Sequence, residues 1–311
     1  MWFAQPLNRG LTWLVPRLPD ALVRRVAAPY LAGESRVDAL DLLKSLAARG
    51  IRGALNYLGE EVENPEQAEA ALNEYLQVLD AVASLGADAY ASMKPSQLGL
   101  RPRGVGMEGC IERCLHLARR AARDGLFLRL EMEDATYTDA TLELWRRVHC
   151  EYANVGLVLQ ARLFRSAADA ATLMTAAAAV RLCKGIYIEP RDIAYTRDAD
   201  IRASYLRLAE RLMEGNGFLA FATHDDWLVE RLLERLTERA FPAERYEFQL
   251  LLGVRPHLIG ELLRRGQPLR LYLPYGPWSQ ARAYAQRRMR KNPALAYHLL
   301  KNTLLSGGAR A

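Results

Sequence analysis

A closed (β/α)8 barrel of the α/β class, with added helices at both ends, is the fold this sequence predicts. Three observations predict it. Eight short apolar runs recur from about residue 50, each followed by a longer amphipathic stretch. The runs are at most seven residues long and mostly continuous in hydrophobicity, as parallel strands covered on both faces are. No glycine-rich phosphate turn follows the first run, where Leu58-Gly59-Glu60-Glu61 stands, so an open doubly wound sheet is the weaker alternative.

The expected strands are Ala54–Leu58, Asp88–Met93, Leu126–Met132, Val155–Gln160, Val180–Lys184, Phe218–Thr223, Tyr246–Leu251 and Leu269–Leu273. The helices between them have readable ends. Asn64-Pro65 is an N-cap followed by proline at the first helical position, and Gly86 closes that helix. Thr138 and Asp139 are expected to precede the helix that runs to about Tyr152. Asp225 and Asp226 open the helix Trp227–Arg239, and Gly266 ends the one finishing at Arg264-Arg265. Residues 1–50 read as an N-terminal helical extension of two or three helices. Residues 51–311 read as the catalytic barrel, with two more helices in 278–304.

The chain has 311 residues, 50% hydrophobic and 25% charged. Such usage excludes a disordered chain, a collagen-like repeat and a disulfide-stapled miniprotein. The four cysteines are sparse, which fits a reducing cytoplasm. No long uncharged apolar run predicts a transmembrane helix, and no secretory signal pattern opens the chain. Charge is uneven: residues 262–311 carry ten Lys/Arg and no acid, while residues 34–261 are net −7. A basic tail can face nucleic acid, an anionic membrane or an anionic ligand, or be a solvated helix face. Only five of the 42 basic residues are lysines, so each is a candidate for work that needs a compact point charge.

Function in such a barrel gathers at the C-terminal ends of the strands. Those ends carry Glu60 and Glu61, Lys94, Glu131, Glu133 and Asp134, Gln160 and Arg162, Lys184 and Tyr187, Thr223 and His224, Gln249, and Tyr272. Arg181 starts the fifth strand. Beyond the eighth, Tyr284-Ala285-Gln286-Arg287-Arg288 places two guanidinium forks on one helix. Such a fork suits bidentate binding of a carboxylate or phosphate. Its bland alternative is a solvent-facing pair.

Four stretches together resemble the flavin-dependent proline dehydrogenase family, which includes the barrel of bifunctional proline utilisation proteins. They are Leu58-Gly59-Glu60-Glu61-Val62, Met93-Lys94-Pro95-Ser96-Gln97-Leu98-Gly99, Val180 to Tyr187, and Leu271 to Gly276 followed by Tyr284 to Arg288. Ala222 to Asp225 and Glu247 to Gln249 add to the likeness. It covers roughly residues 35–305.

The resemblance implies FAD as cofactor and oxidation of L-proline, or a close cyclic amino acid, to Δ1-pyrroline-5-carboxylate in proline catabolism. Electrons then pass to a quinone. It implies that Arg287 and Arg288 clamp the substrate carboxylate with Lys94, and that Tyr272 and Leu251 pack on the substrate ring. Glu60 would pair with Arg287 as a gate, and Tyr284 lies in the same motif. Arg181 would lie near the reactive part of the flavin. Gln160, Lys184, Gly185, Tyr187, Thr223 and His224 would bind or shape the FAD. A helix after strand 8 would lie over the barrel mouth. Either Glu131 or a water would take the amine proton.

The chain departs from the family at four places. Glu131 stands for the usual aspartate, Arg162 for a tyrosine, Leu252 for a tyrosine and Lys291 for a glutamate. A proline analogue, or a specialised biosynthetic pathway, stays open as the alternative. A further enzymatic rival is a barrel using Lys184 as a Schiff-base lysine. Nucleic acid is not expected as a partner. Trp2, Trp13, Leu14 and Leu22 alternate with Arg9, Arg17, Arg24 and Arg25 as a membrane-surface helix would, or as a helix capping the barrel would. The first reading gives peripheral contact with the inner face of the cytoplasmic membrane. Cys110, Cys114 and nearby His116 lack a second ligand pair, so no metal site is assigned. His149-Cys150 reads as packing.

Overall fold

Eight parallel strands close on themselves in chain order. They are β1 (Arg52–Tyr57), β2 (Ala89–Met93), β3 (Leu128–Leu130), β4 (Val155–Gln160), β5 (Val180–Cys183), β6 (Leu219–Ala222), β7 (Tyr246–Leu251) and β8 (Leu269–Tyr275). This is a computed structural model that describes residues 20–59 and 62–291, with residues 22, 26 and 287–291 described by backbone alone. Pairing of β1 with β8 runs from Arg52–Arg270 to Tyr57–Tyr275 and leaves no sheet edge. That six-residue ladder carries β8 two residues past its expected end. β3 is shorter than expected because only Leu128–Leu130 pair on both sides.

The helices are α1 (Asp20–Ala27), α2 (Arg36–Ala47), α3 (Pro65–Leu85), α4 (Met107–Arg123), α5 (Thr138–Glu151), α6 (Ser166–Thr175), α7 (Asp198–Met213), α8 (Asp226–Glu238), α9 (Pro256–Arg264) and α10 (Trp278–Lys291). Their ends follow local chemistry. Asn64 accepts the Gln67 amide at 2.9 Å, and Gly86 ends α3 in the left-handed region at φ 60°. Asp225 accepts the Leu228 amide at 3.4 Å and caps α8. Thr138 and Asp139, expected ahead of α5, lie inside it. Asp134 already closes the preceding turn by accepting the Thr136 amide at 2.9 Å and hydroxyl at 2.6 Å.

Two environments result. Between sheet and helices the core is apolar, with Tyr75, Leu79, Leu144, Trp145, Leu208 and Leu232 among its members. The barrel interior is instead polar. Arg181 on β5 hydrogen-bonds side chains from β2, from the residue after β3 and from β7, and lies over the Tyr272 ring of β8. None of these strands is its neighbour, so the contacts cross the interior. At the foot of the barrel Glu247, fully buried, accepts Arg270 Nε at 2.7 Å and Arg52 Nη1 at 3.2 Å. Asp88 joins them at the rim, 2.8 Å from Arg270 and 2.9 Å from Arg52.

The N-terminal and C-terminal helices meet. Val23 and Ala27 of α1 pack with Trp278, Ala281 and Ala285 of α10 and with Leu58 at the end of β1. Asp20 forms an ion pair with Arg282, 2.9 Å from its Nε, and accepts the Trp278 indole at 3.3 Å, while Arg24 stacks 4.6 Å over the Trp278 ring. Trp2, Trp13, Leu14, Arg9, Arg17 and the second C-terminal helix lie outside the described residues, as does the Leu22 side chain.

Glu247→Ala leaves Arg270 buried with only its rim carboxylate. Removing one member of a buried pair costs about 3–5 kcal/mol. Urea denaturation should show a loss of that order; a loss below about 1 kcal/mol would mean that the interior pair is not load-sharing.

Candidate active site

The C-terminal ends of the strands gather most of the expected residues into two adjoining groups. The first surrounds Arg181. Its Nη1 donates to Glu131 Oε1 at 2.6 Å and its Nε to Gln249 Oε1 at 2.6 Å. Its Nη2 reaches the Tyr90 hydroxyl at 3.0 Å and Ser92 Oγ at 3.1 Å. The guanidinium is 5.3 Å from the centre of the Tyr272 ring. Only 5% of the residue is exposed. Burial alone would raise the Glu131 carboxyl, but Arg181 and the Ser92 hydroxyl outweigh it and hold the group below the usual carboxylate range. Burial pushes the Tyr272 hydroxyl well up, with Glu131 adding to the effect.

Lys94 directly follows β2 and donates to the Gly59 carbonyl at 2.9 Å. The Pro95–Leu98 turn behind it is held by Glu133, which accepts the Ser96 amide at 3.0 Å and hydroxyl at 2.8 Å. Gln97 spans from Tyr57 O at 3.0 Å to the Tyr75 hydroxyl at 3.0 Å. These bonds give the Lys-Pro-Ser-Gln stretch a structural logic: each polar side chain fixes where the lysine begins. α10 adds Tyr284, close enough to Tyr272 to influence its ionisation. Glu60 lies outside the described residues. Arg287 and Arg288 lie on α10, and their side chains lie outside the described residues.

The second group sits at the ends of β4 to β7. A cavity of about 580 Å³ is lined by Lys184, Arg202, Thr223, His224, Asp225, Trp227 and Arg255 among others. Lys184 donates to Asp198 at 3.0 Å and also to Asp225. Arg202 Nε and Nη2 reach Asp225 at 2.7 and 3.1 Å. Burial opposes ionisation of Asp225, but Arg202 and Lys184 lower its carboxyl below the usual value. Trp227 is 46% exposed, with the Arg202 guanidinium 5.6 Å from its ring centre. Thr223 Oγ1 accepts the Asp225 amide at 3.2 Å. His224 Nε2 accepts the Leu251 amide at 2.8 Å, so the imidazole proton sits on Nδ1 and the ends of β6 and β7 are tied.

Gln160, 2% exposed, donates to the Glu133 carbonyl at 2.8 Å. Gly185 follows in the left-handed region at φ 97°. A Cβ there would lie 2.9 Å from Arg162 Cγ and 3.0 Å from Gln160 Oε1, so only glycine fits. Arg162 in turn donates to the Tyr187 carbonyl.

Sequence reading missed Tyr90, Ser92, Arg202, Trp227 and Arg255, and gave Asp225 a cap and a place in the family likeness but no role in the site. Tyr90 and Ser92 had one signal: they share the inward period of Lys94 on β2. Arg202 and Arg255 had none. Cys110 and Cys114 are buried on α4, the former donating weakly to the Pro95 carbonyl at 3.7 Å. His149 stacks on Trp145 with ring centres 4.6 Å apart.

A closed parallel barrel that concentrates cations, an aromatic ring and a buried ion pair at its strand ends is built as a (β/α)8 enzyme. Comparison with known proteins sharpens that class. The sequence profile of the family "Proline dehydrogenase" matches residues 39–299, so this chain belongs to the proline dehydrogenase family and is an oxidoreductase. Proline dehydrogenase of Deinococcus radiodurans is 31% identical over 293 residues, 93% of this chain and 94% of that one. Proline dehydrogenase 1 of Bacillus subtilis is 30% identical over 281 residues, 89% and 90% of the two chains. The crystal structure of proline utilization A from Bdellovibrio bacteriovorus, inactivated by N-propargylglycine, has a TM-score of 0.81 at 24% identity. That likeness is one of fold; it covers 86% of this chain and 32% of the longer one.

Acid stability tests the Arg181–Glu131 pair. A carboxyl held low in the folded state contributes stability above its unfolded value of about 4.3, and that stability is lost as pH falls through the folded value. Glu131→Gln should lower the urea midpoint at neutral pH and flatten its fall across the carboxylate range. A variant with the wild-type acid slope would assign the slope to other groups.

Proposed function

We propose that this chain oxidises L-proline to Δ1-pyrroline-5-carboxylate, with FAD as its cofactor and a quinone as the final electron acceptor. The observation that carries the reading is family membership across residues 39–299, in a chain whose barrel mouth gathers Arg181, Glu131, Tyr272 and Lys94.

The residues present fit FAD. Lys184, Arg202 and Arg255 offer cations for a pyrophosphate, and exposed Trp227 offers a face for a flat heterocycle. The missing Cβ at Gly185 lets backbone approach closely beside Gln160. Thr223, His224 and Tyr187 complete the proposed cofactor set, with Arg181 at its reactive end. When bound, FAD supplies the two-electron acceptor that side chains lack.

The chain's own residues do the rest. Lys94, Arg287 and Arg288 hold the carboxylate of proline, and Tyr272 and Leu251 cover its ring, with Tyr284 beside Tyr272. Glu60 closes over the site by pairing with Arg287. As C–N becomes C=N, the substrate gives up two electrons and two protons. Glu131 Oε1 is already engaged by Arg181 and the Ser92 hydroxyl, so we assign Glu131 to orienting Arg181 and the ammonium proton to solvent. We assign residues 51–311 to the catalytic barrel and residues 1–50 to an extension; the packing of α1 on α10 supports a seating role for it.

A Schiff-base lysine is set in an apolar pocket or beside a second cation. Lys184 instead lies between Asp198 and Asp225, against that rival. A close cyclic amino acid is the second reading, favoured by Arg162 in place of the family tyrosine. We assign the quinone encounter to peripheral membrane contact; among the described residues no helix is long and apolar enough to cross a membrane.

The test is anaerobic titration of the purified protein with L-proline. A yellow protein whose flavin band bleaches supports the reading; a colourless one, or one bleached only by another cyclic amino acid, overturns it or moves the substrate. Arg288→Ala should raise KM for proline by about tenfold to a hundredfold, the loss of ~1.5–3 kcal/mol in charge-assisted bonds, with FAD content unchanged. An unaltered KM would remove Arg288 from the clamp.

A further inference from the structure

The barrel core beneath Arg181 holds a tyrosine in an unusual setting. Tyr90 on β2 is 4% exposed, and its hydroxyl oxygen receives Arg181 Nη2 at 3.0 Å and Gln249 Nε2 at 2.7 Å. The Gln249 amide cannot be turned over. Its oxygen accepts Arg181 Nε at 2.6 Å, and its nitrogen donates to Glu247 Oε1 at 2.5 Å. A flip would set oxygen against carboxylate and N–H against guanidinium. One amide hydrogen therefore points at Glu247 and the other at Tyr90. Ser92, which shares Arg181 Nη2 with Tyr90, gives its own hydrogen to Glu131. Among the described residues, no side chain or carbonyl is placed to accept a proton from the Tyr90 hydroxyl.

More positive charge faces the same ring. The Arg270 guanidinium is 4.5 Å and that of Arg129 5.5 Å from its centre. Arg129 is fully buried and gives Nη1 to the carbonyls of Leu157 and Ala179 at 3.1 and 2.7 Å. Its Nε and Nη2 have no aligned hydrogen-bond partner. Among the described residues the interior thus holds three guanidiniums, Arg129, Arg181 and Arg270, against two carboxylates, Glu131 and Glu247. The rim adds one charge of each sign, Arg52 and Asp88, and leaves the difference unchanged. An unanswered charge in a closed interior is strongly destabilising. A phenolate at Tyr90 would make the count three against three.

We propose that Tyr90 is a phenolate in the folded protein and a positioning residue for Arg181, gripping the inner edge of that guanidinium while Glu131 grips the outer. Burial opposes ionisation of Tyr90, and Glu247 opposes it too, but Arg181, Arg129 and Arg270 outweigh both and lower its proton affinity from that of an ordinary phenol. The ionised oxygen accepts two N–H donors without needing to donate, which matches the observed bonds. The charge assignment stands on the barrel core alone; its bearing on catalysis rests on the reading that Arg181 meets the bound cofactor.

The test uses holoenzyme carrying carbon-13 at the phenol carbon of tyrosine. The chain has 14 tyrosines. At neutral pH one signal should stand at the tyrosinate position, vanish in Tyr90→Phe, and return to the neutral position when wild type is unfolded at the same pH. Native wild-type protein with every tyrosine neutral overturns the proposal, whether or not the variant folds. So does a tyrosinate signal that survives in Tyr90→Phe. Positioning is read separately: the variant should lose about tenfold to a hundredfold in kcat for proline with bound FAD unchanged. Unchanged kcat with the tyrosinate signal lost would overturn the positioning role. A tyrosinate in a protein that proline cannot reduce would sink the functional reading and leave the ionisation standing.

Discussion

A guanidinium brought into a closed barrel has to be answered, and the rest of the interior follows from answering Arg181. It offers five N–H donors in a fixed plane. Aliphatic layers of the usual kind would strand them. The sequence instead puts Glu131, Gln249, Tyr90 and Ser92 around it, from the end of β3, from β7 and from β2. Gln249 then hands the requirement downward to Glu247, and Glu247 to Arg270 and Arg52 at the foot. A continuous polar column thus joins the barrel foot to its mouth. Such a column is not a cheap source of stability, since the same volume filled with leucine would fold at least as well. What it provides is a charge at the mouth whose position is fixed on every side.

Outside the column the design is the reverse. The outward faces of the strands meet helices through a continuous apolar layer, so that layer carries the folding free energy. The polar interior can then be spent on placing groups. Helix α10 belongs to neither layer. It rests on Leu58 and on α1, and Asp20 ties it through Arg282 and Trp278. The segment that leads into the barrel thereby helps to seat the segment that leaves it, next to Tyr272.

How much of this was legible in the sequence depends on whether a residue answers to its neighbours in the chain or across the barrel. Caps such as Asn64 and Asp225 act within one turn, so their positions could be read directly. The eight strands could be read because parallel strands are apolar on both faces. The same reasoning hid the column. Arg129, Glu247 and Arg270 each stand within an apolar run, and averaging hydrophobicity over the run erases a single inward charge. Their partners lie up to about 200 residues away in the chain, a separation at which no local pattern survives; Arg52 and Glu247, for example, are 195 apart. The family resemblance supplied Arg181, but neither Tyr90 nor Ser92. The cavity cations Arg202 and Arg255 come from helix starts, where an arginine ordinarily means only solvent.

Glu131, where the family resemblance expects an aspartate, is accommodated by the same column. A longer carboxylate set on an unchanged strand would project further into the mouth if nothing held it. Here Arg181 and Ser92 both bind Oε1, and the backbone N–H of Glu131 is fixed to Met93 O at 2.8 Å. The extra methylene is absorbed on the way to a guanidinium that has itself been anchored from below by Gln249 and Tyr90. A substitution that looks like a change in reach is therefore a change in the path to the same ion pair. Its consequence lies in how firmly Arg181 is held, since both Arg181 and Ser92 engage the same carboxylate oxygen.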